Sequence, residues 1–344
     1  MAEVRLGKTN MRSMKNAFGA LPIQRVSAEY AAMLLRKAYR AGITFFDTAR
    51  AYTDSEEKIG LALADVRQHI AIATKTGAKT PEDFWAHLHA SLTFLKTDYI
   101  DIYQFHNPTF CPKPGDGSGL YEAMLQAKKQ GKIRWIGITS HRLAVAREAV
   151  DSGLYDTLQF PFCYLSTAEE INLVQHCAQA DVGFIAMKAL SGGLISNAGA
   201  AYAWLDQYAN VLPIWGIQQE RELDEFIRYI QNPPVLNAAH HAAIARDRNA
   251  LMGNFCRACG YCMPCPAGID IPTCARMSQL IRRSPSDKWL NQDGQRMMRK
   301  IEDCIACGKC SASCPYDLQT PALLAANLAD YRQILADRAA AKTN

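Results

Sequence analysis

The sequence predicts an α/β fold: a (β/α)8 TIM barrel followed by a small, mainly helical domain rich in cysteine. The barrel prediction depends on β-rich runs that alternate with helical patterns eight times between residue 17 and about residue 230. Such alternation is typical of a parallel sheet covered by helices, and eight repeats in this length fit a closed barrel better than a doubly wound sheet. The second domain is indicated by the cysteines, because nine of the 12 lie between Cys256 and Cys314.

Each predicted strand is a short apolar run, and each predicted helix shows a helical spacing of apolar residues. Ser27 suits an N-cap, and Thr80-Pro81 puts proline in a first helical turn, where its missing N–H is tolerated. The predicted strands span residues 17–23, 44–49, 70–75, 99–106, 133–140, 157–164, 183–190 and 211–217. The predicted helices span residues 27–41, 55–65, 80 onward, 120–132, 143–153, 167–180, 197–208 and 221–232.

Pro233-Pro234 ends the alternation, and a helical connector and the cysteine-rich region follow. Proline fixes φ and lacks an amide donor, so a pair of prolines is a natural end for a repeated helix–strand pattern. We expect four segments on this basis: a barrel over 1–232, a linker over 233–253, a cysteine-rich domain over 254–320 and a C-terminal helix over 321–344.

The composition is that of an ordinary globular protein. Of the 344 residues, 49% are hydrophobic and 21% are charged, and the formal net charge is +5. The basic residues form no long block, which argues against a nucleic-acid partner. No apolar run approaches the length of about 18 residues needed for a membrane span, and the N-terminal residues lack the apolar core of a signal peptide. We therefore expect a soluble, cytoplasmic protein without a membrane span.

Four ionisable side chains fall at or just after the ends of neighbouring strands, where barrel enzymes carry their chemistry. They are Asp47, Tyr52, Lys75 and His106. A tyrosine is a poor acid at neutral pH because its pKa is about 10, but a nearby ammonium favours the phenolate and is expected to lower that pKa. Asp47 would orient the lysine, and His106 would donate a hydrogen bond to a carbonyl oxygen.

At these residues the chain resembles the aldo/keto reductases. The likeness runs through FFDTARAY (45–52), ATKTG, YIDIYQFH (99–106) and GKIRWIGITSH (131–141). The resemblance implies Tyr52 as the catalytic acid, Lys75 and Asp47 as the pair that tunes it, and His106 as the residue that orients the substrate carbonyl. The resemblance also implies a small carbonyl or alcohol substrate and a nicotinamide cofactor, NADP or NAD. It implies that Ser140 and Gln159 bind the carboxamide of that cofactor. The cofactor phosphates would be bound by Lys188, Gly192 and Gly193.

Eight cysteines form two closely spaced runs, each followed by proline. The second run has the C-x2-C-x2-C-x3-C spacing of bacterial ferredoxins, in which the fourth cysteine ligates the other cluster. Crossed pairing gives two [4Fe–4S] clusters, and Cys274 is an alternative to Cys265 because the first run is one residue shorter. Structural zinc is the competing interpretation. The first predicted cluster is held by Cys256, Cys259, Cys262 and Cys314, and the second by Cys265, Cys304, Cys307 and Cys310.

A ferredoxin-type module after such a barrel resembles a prokaryotic subgroup of the aldo/keto reductases. The sequence thus favours an oxidoreductase that reduces a carbonyl or oxidises an alcohol at the barrel mouth, with two iron–sulfur clusters for electron transfer. Two alternatives stay open. One is a reductase supplied by a ferredoxin or another electron-transfer partner without nicotinamide, and the other is an electron-transfer or scaffold protein with a degenerate barrel.

Overall fold

The computed structural model describes residues 3–251, 255–283 and 287–343 and divides into two compact units. The barrel unit comprises Met1–Ala189 and Gly199–His240, and the cysteine unit comprises Leu190–Ala198 and His241–Asn344. The short segment 190–198 therefore groups with the cysteines although it lies inside the predicted barrel range. The predicted boundaries at residues 1, 253, 254 and 344 lie outside the described residues.

The chain begins with an antiparallel hairpin that the sequence analysis did not predict. Its strands are β1 (Glu3–Arg5) and β2 (Arg12–Met14). Val4 and Leu6 are fully buried and pack with residues from the barrel strands, so the hairpin contributes to the barrel core. Burying two such side chains stabilises a fold by about 1.5–3 kcal/mol each, which explains why so short a hairpin forms.

Eight parallel strands close into a barrel, as predicted. In order around the barrel each strand pairs with its successor in the chain, and the last pairs with the first. Side chains at alternate positions along the strands fill the barrel interior, among them Phe45, Ile102 and Leu212. The strands are β3 (Ala17–Gly19), β4 (Phe45–Asp47), β5 (Ala71–Thr76), β6 (Ile100–His106), β7 (Ile133–Thr139), β8 (Thr157–Pro161), β9 (Gly183–Met187) and β10 (Val211–Gly216).

A helix follows each barrel strand, and the predicted cap at Ser27 and the predicted first-turn proline after Thr80 are both present. The Ser27 hydroxyl accepts a hydrogen bond from the Tyr30 amide, and Thr167 forms a capping box with Glu170. These caps fix where the loops at the barrel rim end and the helices begin. The helices are α1 (Ala28–Arg40), α2 (Ser55–Leu63), α3 (Pro81–Phe94), α4 (Leu120–Lys129), α5 (Leu143–Asp151), α6 (Ala168–Gln179), α7 (Ala198–Asp206) and α8 (Glu220–Gln231).

The cysteine unit is mainly helical, as predicted. Its apolar core gathers buried residues from several short helices and from the C-terminal helix, including Met277, Met298 and Tyr331. The cysteines of both runs lie mostly in the irregular segments that connect these helices. Its helices are α9 (Ala238–Leu251), α10 (Ile271–Cys274), α11 (Met277–Arg283), α12 (Asp287–Leu290), α13 (Gln292–Arg299), α14 (Lys309–Ala312) and α15 (Thr320–Thr343).

Among the described residues, every helix is too short or too polar to cross a lipid bilayer.

Candidate active site and cysteine cavities

Asp47 and Lys75 form a buried ion pair at the carboxyl ends of neighbouring strands. Asp47 is the last residue of β4, Lys75 lies near the end of β5, and both are at most 2% exposed. The Lys75 Nζ donates hydrogen bonds of 2.6 Å to Asp47 Oδ1 and 2.6 Å to the Thr48 carbonyl. Burial raises the pKa of the Asp47 carboxyl, and the Lys75 ammonium acts against that rise. The carboxylate therefore fixes the ammonium in one position.

Tyr52 lies beside this pair, in the loop between β4 and α2. The Lys75 Nζ is 5.2 Å from the centroid of the Tyr52 ring. Burial raises the pKa of the Tyr52 hydroxyl, the Lys75 cation opposes the rise, and Asp47 adds to it. The predicted net lowering of this pKa is therefore wrong: the Lys75 cation does act to lower it, but burial outweighs the cation. A raised pKa keeps Tyr52 protonated, as a proton donor must be.

His106 completes the group at the end of β6. Its ring meets the Tyr52 ring edge-on, with 5.8 Å between the centroids. Burial, together with the nearby Lys75 cation, lowers the pKa of His106 to about 3. A neutral imidazole carries one N–H, so His106 can donate a hydrogen bond to a carbonyl oxygen without bringing a positive charge. The structure thus brings all four predicted catalytic residues together at one rim of the barrel.

The loop that carries Tyr52 is held by buried polar contacts. The Thr48 hydroxyl donates to Ser55 Oγ over 2.9 Å, which ties the two ends of the loop together. Arg50 pairs with Glu56, whose side chain is almost fully buried. Contacts of this kind restrict the loop backbone, so Tyr52 is presented from a fixed position.

A chain of side-chain amides extends from Asp47 across the barrel interior. Gln104 Nε2 donates to Gln159 Oε1 over 3.0 Å, and Gln159 Nε2 lies 3.4 Å from Asp47 Oδ1. Among the described residues, Asp47 Oδ2 and Gln104 Oε1 are buried without a hydrogen-bond partner. Gln104 was not among the predicted site residues, although a glutamine inside an apolar strand is a usable signal. Two buried acceptors without a donor fit a site completed by a ligand that brings N–H or O–H groups.

The two residues expected near a nicotinamide carboxamide already make contacts within the protein. Gln159 belongs to the amide chain just described. Ser140 is fully buried, and its hydroxyl bonds to the Arg142 carbonyl (3.1 Å) and accepts from the Arg142 amide (3.0 Å). Ser140 also follows β7 and bonds through its amide to the Gln159 carbonyl. Both residues therefore lie on the same side of the barrel rim, on adjacent strands.

The residues expected at the cofactor phosphates fall in different units. Lys188 follows β9 in the barrel unit with a φ of 57°. Gly192 and Gly193 belong to the cysteine unit and have φ values of 65° and 91°, a conformation that favours glycine. The Gly192 carbonyl accepts a hydrogen bond from Arg276. A phosphate-binding role for these three residues stays a prediction.

The eight cysteines of the two runs line two cavities in the cysteine unit. Five cysteines line each cavity, and Cys262 and Cys310 line both. The cavity that we call the first cysteine cavity is lined by Cys256, Cys259, Cys262, Cys310 and Cys314. The second cysteine cavity is lined by Cys262, Cys265, Cys304, Cys307 and Cys310. Each cavity therefore contains one of the two predicted crossed ligand sets, including the cysteine that comes from the other run.

Cys274 lies away from both cavities. It is fully buried in the apolar core of the cysteine unit, and its thiol faces the Met297 carbonyl at 3.7 Å. Cys265 lines the second cavity instead. The arrangement supports Cys265 over Cys274 as the ligand from the first run, despite the shorter spacing.

The two cysteine runs form the same backbone loop. In the first, Ala258 and Gly260 have φ values of 50° and 83°, and in the second, Ala306 and Gly308 have 53° and 72°. A Cβ at either glycine would meet no described atom within 4 Å. Both runs therefore carry their successive cysteines on a turn of the same backbone shape.

The spacing of the thiols suits a cluster better than a single ion. Within the described parts of the chain, no three His, Cys, Asp or Glu side chains converge closely enough to hold one metal ion. Burial raises the pKa of Cys256, and the neighbouring Cys259 and Cys314 thiols, which line the same cavity, add to the rise. Thiols placed around a shared cavity fit a ligand of several atoms, such as an iron–sulfur cluster.

Comparison with known proteins gives two matches along the chain. The model of the aldo/keto reductase family matches residues 15–203, and a model described as a 4Fe-4S dicluster domain matches residues 255–319. Among curated proteins, L-galactose dehydrogenase of Arabidopsis thaliana is 30% identical over 56% of this chain and 67% of its own length. The NADH-specific methylglyoxal reductase of Escherichia coli is 28% identical over 47% of this chain and 56% of its own length. This chain thus spans between about half and two thirds of these relatives.

Solved structures show the same barrel. An aldo-keto reductase from Bacillus halodurans in its holo form superposes with a TM-score of 0.64 at 21% identity, over 74% of this chain and 98% of its own. An aldo/keto reductase from Klebsiella pneumoniae in complex with NADP and acetate has a TM-score of 0.61 at 22% identity, over 71% and 94%. At these identities the likeness concerns the fold alone. The family model, which covers more than half of the sequence, establishes that this chain belongs to the aldo/keto reductase family.

Proposed function

We propose that the protein reduces a small carbonyl compound, or oxidises the corresponding alcohol, at the rim of the barrel with a nicotinamide cofactor. The observation that carries the proposal is the arrangement of Tyr52, Lys75, Asp47 and His106 around one point. A protonated phenol, a fixed cation and a neutral imidazole are the groups that carbonyl reduction requires, whereas a scaffold barrel has no need to bury an ion pair there.

The residues have separate tasks in this reaction. When bound, the nicotinamide supplies or accepts the hydride. Neutral His106 donates its N–H to the substrate oxygen and holds the carbonyl in place. Tyr52 gives its hydroxyl proton to the same oxygen during reduction, and the fixed Lys75 ammonium stabilises the phenolate that remains. Asp47 is a positioning residue, because it acts by holding Lys75.

The buried acceptors Asp47 Oδ2 and Gln104 Oε1 support a nicotinamide at this place, because its carboxamide and ribose bring hydrogen-bond donors. Ser140 and Gln159 would hold the carboxamide. NADP and NAD share the same nicotinamide end, so these residues would recognise either dinucleotide there.

We further propose that the cysteine unit holds two [4Fe–4S] clusters, which supply one-electron transfer when bound. The first cluster would be held by Cys256, Cys259, Cys262 and Cys314, and the second by Cys265, Cys304, Cys307 and Cys310. The presence of one crossed ligand set in each cavity supports this assignment. An electron-transfer partner such as a ferredoxin is the corresponding proposal for the source or destination of those electrons.

Substitution Tyr52→Phe tests the enzymatic proposal. The relatives' names suggest a first panel, with methylglyoxal for reduction and L-galactose for oxidation. With NADPH or NADH as donor for the reduction and oxidised NADP or NAD as acceptor for the oxidation, the variant should lose about 10²–10⁴-fold in kcat/KM because it lacks the transferable proton. Tyr99→Phe is the control, since Tyr99 lies just before β6 at the opposite end of the strand from His106.

Two outcomes would contradict the nicotinamide proposal. Equal activity of wild type and Tyr52→Phe would show that the phenol does no chemistry. Turnover with reduced ferredoxin and none with either nicotinamide would favour the reductase supplied by an electron-transfer protein.

The ligand assignment is tested by iron and acid-labile sulfide content after anaerobic purification. Cys304→Ser should lose about half of the iron, because it removes one ligand of one of two equal clusters. Cys274→Ser should keep it all, because that thiol faces the apolar core. The reverse result would assign Cys274 as the ligand.

A further inference from the structure

Glu56 is a buried carboxylate in the first turn of α2, four residues after Tyr52, and its side chain is 1% exposed. The Thr74 hydroxyl of β5 donates to its Oε1 over 2.6 Å, and the Ser91 hydroxyl of α3 donates to the same oxygen over 2.7 Å. The Arg50 guanidinium, from the loop between β4 and α2, donates to its Oε2. A buried charge needs partners of this kind, so Glu56 links the loop, β5, α2 and α3.

Arg50 holds the loop on both sides of Tyr52. Its backbone amide donates to the Lys75 carbonyl over 3.0 Å, which joins the loop to β5 before Tyr52. Its guanidinium donates to the Thr53 carbonyl over 3.2 Å, after Tyr52. Thr53 has a φ of 41°, which β-branched residues rarely adopt, so this turn needs contacts that hold it. Because Glu56 fixes the guanidinium, the placement of Tyr52 depends on the Arg50–Glu56 pair.

The contact with Thr74 acts on the strand that carries Lys75. Thr74 immediately precedes Lys75 on β5, and successive side chains of a strand point to opposite faces. Thr74 therefore faces α2, where it meets Glu56, and Lys75 lies on the other face of the strand. Glu56 thus holds β5 through one oxygen and the loop through the other. It helps to set the 5.2 Å distance between Lys75 Nζ and the Tyr52 ring without touching either side chain.

Asp101 is a comparable carboxylate at the other end of the same strands. It is 3% exposed, and it accepts hydrogen bonds from Arg67 over 2.7 Å and from Arg134 over 3.0 Å. It also accepts from the Ile72 amide of β5 over 2.9 Å. Like Glu56, it is a buried carboxylate with an arginine partner and a contact to β5. Ile72 lies near the amino end of β5, so Asp101 stabilises the barrel away from the rim that carries the chemistry.

We infer that Glu56 is a positioning residue for the proton transfer from Tyr52 to the substrate oxygen. The inference rests on the proposed carbonyl chemistry. Proton transfer requires close and aligned groups, and a misplacement of about 1 Å can cost about 10²-fold in rate. The stabilisation of the Tyr52 phenolate by the Lys75 ammonium also weakens with distance. Loss of the Glu56 contacts should therefore slow the chemical step and leave the affinity for substrate nearly unchanged.

The test is a single-turnover measurement on the full chain with Glu56→Gln. Glutamine keeps the size of the side chain and one acceptor oxygen but loses the charge that fixes Arg50. The rate of NADPH oxidation by methylglyoxal after rapid mixing follows chemistry rather than product release. This rate should fall by about 10–100-fold, while the methylglyoxal concentration for half-maximal rate should change less than about twofold. Asp101→Asn is the control: it should lower the free energy of unfolding but leave the rate unchanged.

A double variant, Arg50→Met with Glu56→Gln, separates positioning from stability. Removal of both charges leaves no buried charge unpaired, so the double variant should be at least as stable as Glu56→Gln. Its single-turnover rate should stay as slow as that of Glu56→Gln, because the loop still lacks its connection to β5 through this pair. If Glu56→Gln does not fold, the double variant decides.

Four results would overturn the inference. They are an unchanged rate in Glu56→Gln, a weaker substrate affinity with an unchanged maximal rate, an equal slowing in Asp101→Asn, and a return to the wild-type rate in the double variant. Failure of the proposed function looks different, because the wild type and Tyr52→Phe would then be equal. A failed inference leaves Tyr52→Phe slow and Glu56→Gln fast.

Discussion

The two units build their sites by different means. In the barrel unit, Asp47 and Lys75 are 28 residues apart and meet only because their strands are neighbours in a closed barrel. In the cysteine unit, each loop of seven residues places three thiols by its own backbone conformation. Folding of the barrel is therefore enough to assemble the barrel site, whereas the cysteine site needs a bound ligand to hold its thiols together. Variants that affect one site should leave the other intact.

The largest expected effect is that of Lys75→Met, which tests whether the two sites are independent. The substitution leaves the Asp47 carboxylate buried without its cation, which costs about 3–5 kcal/mol in the free energy of unfolding. It should also abolish most carbonyl reduction. Thermal or urea unfolding, monitored by the barrel's circular dichroism, measures the loss, and the iron content should equal that of wild type. A matching loss of iron would show that the two units do not fold independently.

The pH dependence of this variant gives a second check. Burial already raises the pKa of Asp47, and loss of the ammonium that opposes the rise should raise it further. Between the ordinary pKa and this raised one, the folded state binds more protons than the unfolded state, so stability falls as pH rises. The deficit of Lys75→Met should therefore shrink toward acidic pH. Lys113→Met, which breaks the exposed pair with Glu148, should show little change at any pH.

A smaller effect, confined to the barrel, is expected in the pH profile of carbonyl reduction. The acid form of Tyr52 must be present, and burial holds its pKa above the ordinary value, so activity should fall only as the pH rises through that raised pKa. His106, with a pKa of about 3, stays neutral above the acid range. kcat/KM at saturating NADPH should thus be flat between about pH 5 and 9. A decline near the usual pKa of histidine would contradict the neutral-donor role.

The sequence was sufficient for the features that depend on periodicity and local spacing. The eight strand–helix repeats predicted the closed barrel, and the position of His106 at a strand end placed it at the rim beside Tyr52. The ferredoxin spacing predicted the cysteine domain, which the family comparison confirms. These features share one property: each is decided within a few residues or by a repeated pattern.

What the sequence did not provide depends on packing between distant segments. The hairpin of β1 and β2 has three-residue strands, too short for an alternating pattern, and forms because Val4 and Leu6 find space in the barrel core. The direction of the Tyr52 pKa depends on how much water the fold excludes, which no spacing reveals. The contact of Arg276 with Gly192 joins residues 84 positions apart and had no sequence signal.

The smallest effect is expected from Gly308→Ala. This variant distinguishes backbone strain from contact with a bound ligand. Gly308 has a φ of 72°, so alanine there costs about 1–2 kcal/mol in a left-handed conformation, even though the added Cβ meets no described atom within 4 Å. Gly268→Ala is the matched control in the same unit, with a φ of 70° and only the end of the Lys300 side chain nearby at 3.5 Å.

Strain alone should lower the stability of both variants equally and leave iron binding unchanged. If a cluster fills the space beside Gly308, which lies between the proposed ligands Cys307 and Cys310, the alanine methyl group also competes with that cluster for room. Gly308→Ala should then bind less iron than Gly268→Ala at equal loss of stability, as measured by iron content after anaerobic reconstitution. Equal iron in the two variants would mean that the loop approaches its ligand through the thiols alone, and the glycine would serve only the turn.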